Sequence, residues 1–154
     1  MSLNLEKLNE NLDAKKIYDI LNTDEEDVVC LFVGGCVRDL ISNREILDVD
    51  FATSLTPDKI KRKLEASNIE YDNSFENYGS IKIRLDEQSF EVNTLRKDFD
   101  QDGRHSEVIF TQDWRQDALR RDFTINAIYC DINGRIYDPF KGVDDLNNGI
   151  IRFI

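Results

Sequence analysis

The sequence predicts an α+β (mixed α/β) domain with a mixed central sheet and flanking helices, on three observations. Short apolar runs bounded by turn residues recur at Val28 to Val33, Leu47 to Ala52 and Phe90 to Thr94. Segments of helical spacing lie before and between them, and no internal repeat or low-complexity stretch breaks the alternation. With 154 residues, 40% of them hydrophobic, the chain is long enough for one complete core, and no Pro/Ser-rich linker or charge block divides it. Residues 1–154 therefore read as one domain.

Leu5, Leu8, Leu12, Ile17, Ile20 and Leu21 predict an amphipathic first helix over about residues 4–22, whose role is packing. After the acidic turn Asp24 to Asp27, the run Val28 to Val33 suits a buried strand, ended by Gly34-Gly35 and followed by a brief helix from Cys36 to Ile41. Leu47 to Ala52 predicts a second strand, with Val49 and Phe51 facing the core. Thr56-Pro57 supplies an N-cap and first-turn proline for a helix to about Ala66. Alternation at Ile81, Ile83 and Leu85, a turn at Asp86 to Ser89, and Phe90, Val92 and Thr94 on one face predict a hairpin. The polar stretch Lys97 to Ser106, with Asp98, Asp100, Asp102, Gly103, Arg104 and His105, reads as a mobile loop. A helix follows over Asp113 to Arg121, then a turn-linked pair around Asn133-Gly134, from Ile125 to Cys130 and at Ile136-Tyr137. The apolar end Ile150 to Ile154 stops abruptly, as the end of a fragment would.

No run of about 18 apolar residues and no signal-peptide pattern is present, so no membrane segment is expected and a cytoplasmic or organellar setting follows. Cys30, Cys36 and Cys130 lie in apolar surroundings without C-x-x-C spacing and read as reduced core residues. A single histidine, His105, leaves little with which to build a zinc site, and its polar surroundings predict exposure. The net charge of −11, from 31 acidic and 20 basic residues, is the wrong sign for a domain that grips a nucleic-acid backbone alone. It is compatible with chemistry on a nucleic-acid end, provided that Mg²⁺ or other segments supply positive charge.

The chemistry-bearing stretch runs from Leu31 to Thr53. In an extended strand Asp48 and Asp50 would share a face with Cα atoms about 6.6 Å apart, a spacing that suits shared coordination of Mg²⁺. Two such ions about 3.5–4 Å apart can serve an in-line phosphoryl displacement. Gly34-Gly35, lacking Cβ atoms, would let backbone N–H groups and the following helix N-terminus approach a triphosphate, and Arg38 would offer it a charged fork. Taken singly, paired glycines mark turns and a D-x-D is a solvated strand edge; their combination within one short stretch is what points to a site. Glu91 joins the aspartates only if its strand neighbours theirs, and is otherwise a solvated residue. Arg120-Arg121-Asp122 has a bland reading as a helix C-terminus and a sharper one in which Arg121 binds phosphate or ribose, while Asp122 and Asn126 hold that arginine or the sugar hydroxyls.

Five segments in order, Val33 to Asp39, Leu47 to Thr53, Phe90 to Arg96, Arg120 to Ala127 and Asp138 to Gly142, resemble successive motifs of the head domain shared by class II tRNA nucleotidyltransferases (CCA-adding enzymes) and bacterial poly(A) polymerases. The stretch Gly103 to Asp117, with Trp114, is more similar to the eukaryotic and alphaproteobacterial CCA-adding type. The resemblance implies a polymerase-β-like nucleotidyltransferase head and Mg²⁺-dependent transfer of CMP and AMP from CTP and ATP to the tRNA 3′ end, with pyrophosphate release. It further implies that Asp48 and Asp50 bind the metal ions and orient or deprotonate the terminal ribose hydroxyl. Gly35, Arg38 and Arg121 would contact the incoming nucleotide with Gly34 beside them, and Glu91 would stand near the catalytic centre. Cys36 and Lys141 depart from the family pattern, where small residues are more usual. An acid-acid-x-x-arginine motif that selects the base, and later helices that grip tRNA, are not within these residues. The expectation is a catalytic head alone, binding nucleotide and Mg²⁺ weakly without templated CCA addition. Two other readings stay open: a poly(A) polymerase head, and a non-catalytic nucleotide-binding module, against which intact Asp48, Asp50 and Arg38 argue.

Overall fold

The alternating apolar runs become the two faces of a seven-stranded sheet in the computed structural model, which describes residue 3 and residues 5–101 and 105–154. The N-terminal apolar spacing forms two helices, α1 (Glu6–Asn9) and α2 (Leu12–Asn22), where one was expected. Asn11 makes the break: its side chain accepts a hydrogen bond from the Ala14 N–H at 3.0 Å, a cap that is unavailable inside a continuous helix. Leu12, expected on the packed stripe, is consequently exposed.

The chain continues through β1 (Cys30–Val33), α3 (Gly35–Ile41), β2 (Val49–Thr53) and α4 (Pro57–Ala66). As expected, Thr56 caps α4 by accepting from the Lys59 N–H, with Pro57 opening its first turn. Then come β3 (Tyr71–Asp72), β4 (Ser80–Leu85), β5 (Gln88–Thr94), β6 (Arg96–Gln101), β7 (His105–Phe110), α5 (Trp114–Leu119), β8 (Tyr129–Cys130), β9 (Ile136–Tyr137) and α6 (Gly142–Asn147). The sheet order is β3-β4-β5-β2-β1-β8-β9, antiparallel throughout except for the parallel pair β2 and β5. Because β2 and β5 are parallel, the chain between them must cross over, and α4 makes that crossover.

Period-two patterning sorts the two faces. Phe32, Phe51, Phe90 and Val92 pack with Ile17 and Leu21 of α2, Val37 of α3, and Ile60 and Leu64 of α4. Tyr18, Phe32, Phe51 and Phe90 form a chain of ring contacts across this face, with centroids 5.3, 5.0 and 6.5 Å apart. Each such buried side chain contributes on the order of 1.5–3 kcal/mol. On the opposite face a smaller cluster of Val33, Ala52, Leu95, Ala118 and Tyr129 packs against α5, while Asp50 of β2 and Glu91 of β5 stay partly exposed. Cys30, Cys36 and Cys130 are buried and free, as expected.

The polar stretch expected as a loop is instead a two-stranded ribbon, β6 against β7, outside the main sheet. Ladder hydrogen bonds use the backbone alone, so an exposed ribbon needs no apolar alternation; Lys97, Asp98 and Phe99 all face solvent. Asp102, Gly103 and Arg104 and the side chains of Asp100 and His105 lie outside the described residues. Lys141 holds a left-handed backbone at φ 57°, a conformation that favours glycine. Gly142 is forced: a Cβ would meet the Thr124 carbonyl oxygen at 2.1 Å. Among the described residues no helix is long and apolar enough to cross a membrane.

Candidate active site

Strand register sets one row of residues across the open face. Tyr137 pairs with Tyr129, Tyr129 with Val33, Val33 with Asp50, Asp50 with Glu91, and Glu91 with Lys82. Directly paired residues project to the same side of a sheet, so the row carries two carboxylates side by side on adjacent parallel strands. Glu91 thus neighbours Asp50, the arrangement that sequence alone left open. Its carboxylate accepts a hydrogen bond from the Ser80 hydroxyl at 2.7 Å.

Asp50 sits partly buried in the strand, whereas Asp48 lies one residue ahead of β2 and is exposed. The expected pair is therefore split between a strand and its mouth. Burial pushes the Asp50 carboxyl up to about 6, with the negative charges of Glu91 and Asp48 adding to the rise and Arg121 opposing it. Both aspartates and Glu91 line a cleft of about 700 Å³ that continues along Asp72, Lys82 and Arg84.

The glycine turn adjoins this row, because Gly34 follows Val33. Gly34 has φ 76° and ψ −132°, a conformation nearly confined to glycine, and its N–H is taken by the Ile128 carbonyl at 3.2 Å. The first helical bond of α3 runs from Arg38 N–H to Gly34, so the Gly35 and Cys36 amides have no helical carbonyl before them. Arg38 donates through Nη1 to Asn126 Oδ1 at 2.9 Å and through Nε to Asp39 at 3.1 Å. Asn126 in turn donates to Asp122 at 3.1 Å. The Asp122–Asn126 pair therefore holds Arg38, where the sequence offered Arg121 or the sugar hydroxyls as its partners.

Arg121 is held by residues that sequence reasoning passed over. It donates through Nη2 to Asp117 at 3.2 Å and through Nε to the Tyr129 hydroxyl at 3.2 Å, with its guanidinium 5.5 Å from the centre of the Tyr129 ring. Asp117 precedes Arg120 by three residues and Arg121 by four, a helical spacing that was readable; the contribution of Tyr129 was not, because it depends on where β8 joins the sheet. A Cβ at Gly34 would lie 4.0 Å from Arg121 Nη1, which brings that arginine to the glycine turn.

The donor chemistry fits a magnesium ion. Among the described residues no three His, Cys, Asp or Glu side chains close into a metal cage. The site offers oxygen donors at one edge, with Asp50 under repulsion from Glu91 and Asp48 that Arg121 opposes without lowering its carboxyl to the ordinary value, and Mg²⁺ is a cation that keeps several waters and takes one or two carboxylates.

Residues 30–152 match the poly A polymerase head domain family. The chain is 48% identical over 122 residues to a mitochondrial CCA tRNA nucleotidyltransferase 1 of Danio rerio, covering 79% of this chain and 28% of that protein. It is 41% identical over 128 residues to a CCA-adding enzyme of Staphylococcus epidermidis, covering 80% and 30%. The crystal structure of the Bacillus stearothermophilus CCA-adding enzyme in complex with CTP superposes with a TM-score of 0.77 at 33% identity, over 96% of this chain and 33% of that one. A tRNA nucleotidyltransferase complexed with a primer tRNA and an incoming ATP analog superposes with a TM-score of 0.63 at 27% identity, over 81% and 35%. The chain spans about 30% of the length of the curated relatives it matches. On sequence, fold and the order of its elements, the chain belongs to the poly A polymerase head domain family.

Proposed function

We propose that this chain is the catalytic head of a tRNA CCA-adding enzyme, which joins CMP and AMP from CTP and ATP to the tRNA 3′ end and releases pyrophosphate. The observation that carries the reading is the cross-strand row that sets Asp50 beside Glu91, adjoined by the glycine turn and by two arginines held on their own partners. The named activities of the relatives, and the CTP and primer tRNA held in the similar structures, support nucleotides and tRNA as the substrates.

Asp48 and Asp50, with Glu91 beside them, would hold Mg²⁺, which when bound supplies charge stabilisation at the transferred phosphoryl group and a more acidic attacking hydroxyl. Asp50, with a carboxyl near 6, is ionised at neutral pH and can orient the terminal ribose hydroxyl or take its proton. Arg38 and Arg121 offer planar forks to the triphosphate, and Gly34 and Gly35 let it approach the backbone. Because Arg38 rests on Asn126 and Arg121 on Asp117 and Tyr129, neither long side chain must be ordered afresh when nucleotide binds. The Ser80 hydroxyl fixes one oxygen of Glu91 next to Asp50. A net charge of −11 supports a division of labour in which other segments of the protein grip the tRNA backbone. Three reduced, buried cysteines support a cytoplasmic setting.

The test is incorporation of labelled CTP and ATP into tRNA lacking its 3′ CCA, by the full protein that contains this head. Both nucleotides are expected to be added, and the double change Asp48→Ala and Asp50→Ala is expected to bring incorporation to background. Unchanged incorporation in that variant refutes the metal-site reading, and addition of AMP without CMP makes this a poly(A) polymerase head.

A further inference from the structure

Toward the end of the cross-strand row away from Glu91, Arg121 sits in a buried polar cluster built on Asp117 and Tyr129. The Asp117 side chain is 1% exposed and receives four hydrogen bonds and a further ion-pair contact. Its Oδ1 accepts from the Arg96 backbone N–H and from Arg120 Nε, each at 3.1 Å, and forms an ion pair with Arg120 Nη2 at 3.1 Å. Its Oδ2 accepts from Arg121 Nη2 at 3.2 Å and from the Tyr129 hydroxyl at 2.7 Å. The same hydroxyl accepts from Arg121 Nε, so one carboxylate oxygen and one phenol oxygen grip two of the three guanidinium nitrogens of Arg121.

Three features give this cluster a direction. First, the grip uses Nε and Nη2 and leaves Nη1, which among the described residues has no hydrogen-bond partner and lies beside the Gly34 turn. Second, Tyr129 stands in the same strand row as Asp50 with Val33 between them, two strand spacings or about 10 Å away, so the clamp and the carboxylates share one backbone reference. The Trp114 ring meets the Tyr129 ring edge-on at 5.6 Å and limits its movement. Third, one carboxylate faces two guanidinium groups, which leaves one positive charge in excess beside an otherwise acidic site. Burial disfavours the charge on Arg121, but Tyr129 and Asp117 outweigh it and hold its pKa above the ordinary value.

We infer that Asp117 and Tyr129 are positioning residues that clamp Arg121 with Nη1 presented to the phosphates of the incoming nucleotide at the Gly34 turn. The inference rests on the reading of this face as a nucleotide site. An anion between Gly34 and Arg121 would take the unused Nη1 and neutralise the excess charge without disturbing the two bonds that aim the side chain. Removing the phenol oxygen alone leaves Arg121 in place but free to swing about its long stem, so the loss falls on nucleotide affinity.

The experiment is a double-mutant cycle on CTP binding with Mg²⁺, followed by calorimetry, with Tyr129→Phe, Arg121→Ala and the pair. Tyr129→Phe is expected to weaken CTP about tenfold, to leave binding of cytidine, which has no phosphate, unchanged, and to cause no further loss in the Arg121→Ala background. Asp117→Asn, put through the same cycle, is expected to behave alike and serves if Tyr129→Phe fails to fold. Unchanged CTP affinity overturns the inference, as does an equal loss in both backgrounds, which would mark Tyr129 as a packing residue only. Failure of the unmodified protein to bind CTP or ATP overturns the nucleotide-site reading and the inference with it; loss on Arg121→Ala without loss on Tyr129→Phe overturns the inference alone.

Discussion

Asp50→Asn in the metal-free protein is expected to raise stability at neutral pH while it destroys the site. The folded state holds the Asp50 carboxyl up to about 6 against an ordinary value of 3.8, first through burial and then through Glu91 and Asp48. That difference corresponds to about 3 kcal/mol against the charged form, and because the group is only partly buried, solvent screening reduces the expected figure to about 1–2 kcal/mol. The sign follows from proton binding: between about 4 and 6 the folded state binds more protons than the unfolded one, so stability falls as pH rises through that window. Below 3.8 both states hold the proton and there is no penalty; above about 6 the full penalty is present. An asparagine does not titrate. Urea denaturation of both proteins with chelator, from pH 4 to pH 8, should give a stability difference in favour of the variant that grows by about 1–2 kcal/mol between pH 4 and pH 7 and is then flat. A difference independent of pH would refute the reasoning, because it would mean that Asp50 ionises in the fold as readily as in the open chain.

Gly34→Ala is expected to cost about 1–3 kcal/mol in urea denaturation, for backbone strain alone. Its added Cβ would meet nothing closer than 3.8 Å, so loss of the φ 76° conformation and not crowding sets the cost; an undiminished midpoint would contradict that. Asn126→Ala removes the acceptor of Arg38 Nη1 and the donor to Asp122, and is expected to weaken CTP binding about tenfold by calorimetry, the scale of one hydrogen bond to a charged group. Unchanged affinity would show that Arg38 is aimed without it.

Much of the fold could be read because its signals are local. The burial of Val49 and Phe51, and of Phe90 and Val92, follows from period two within five residues, and the start of α4 follows from a threonine hydroxyl three residues from the amide it caps. The β6/β7 ribbon is less legible, because β6 is polar apart from Phe99 and its ladder draws only on backbone groups. The division of the N-terminal helix is a single side chain, Asn11, choosing to cap, against a leucine pattern that runs through the break.

The site divides along the same line. The chemical inventory, two acids one residue apart, a Gly-Gly turn, Arg38, Glu91 and Arg121, is legible in the chain because each part depends only on residue type and spacing. Which of them meet depends on how the strands pair. The parallel pairing of β2 with β5 sets Glu91 beside Asp50, and the pairing of β1 with β8 brings the Tyr129 hydroxyl under Arg121. Partners such as Arg38 and Asn126, 88 residues apart, are joined by closing long loops, and the free energy that closes them comes from burying Phe32, Phe51, Phe90 and their neighbours, not from the polar groups that the closure brings together.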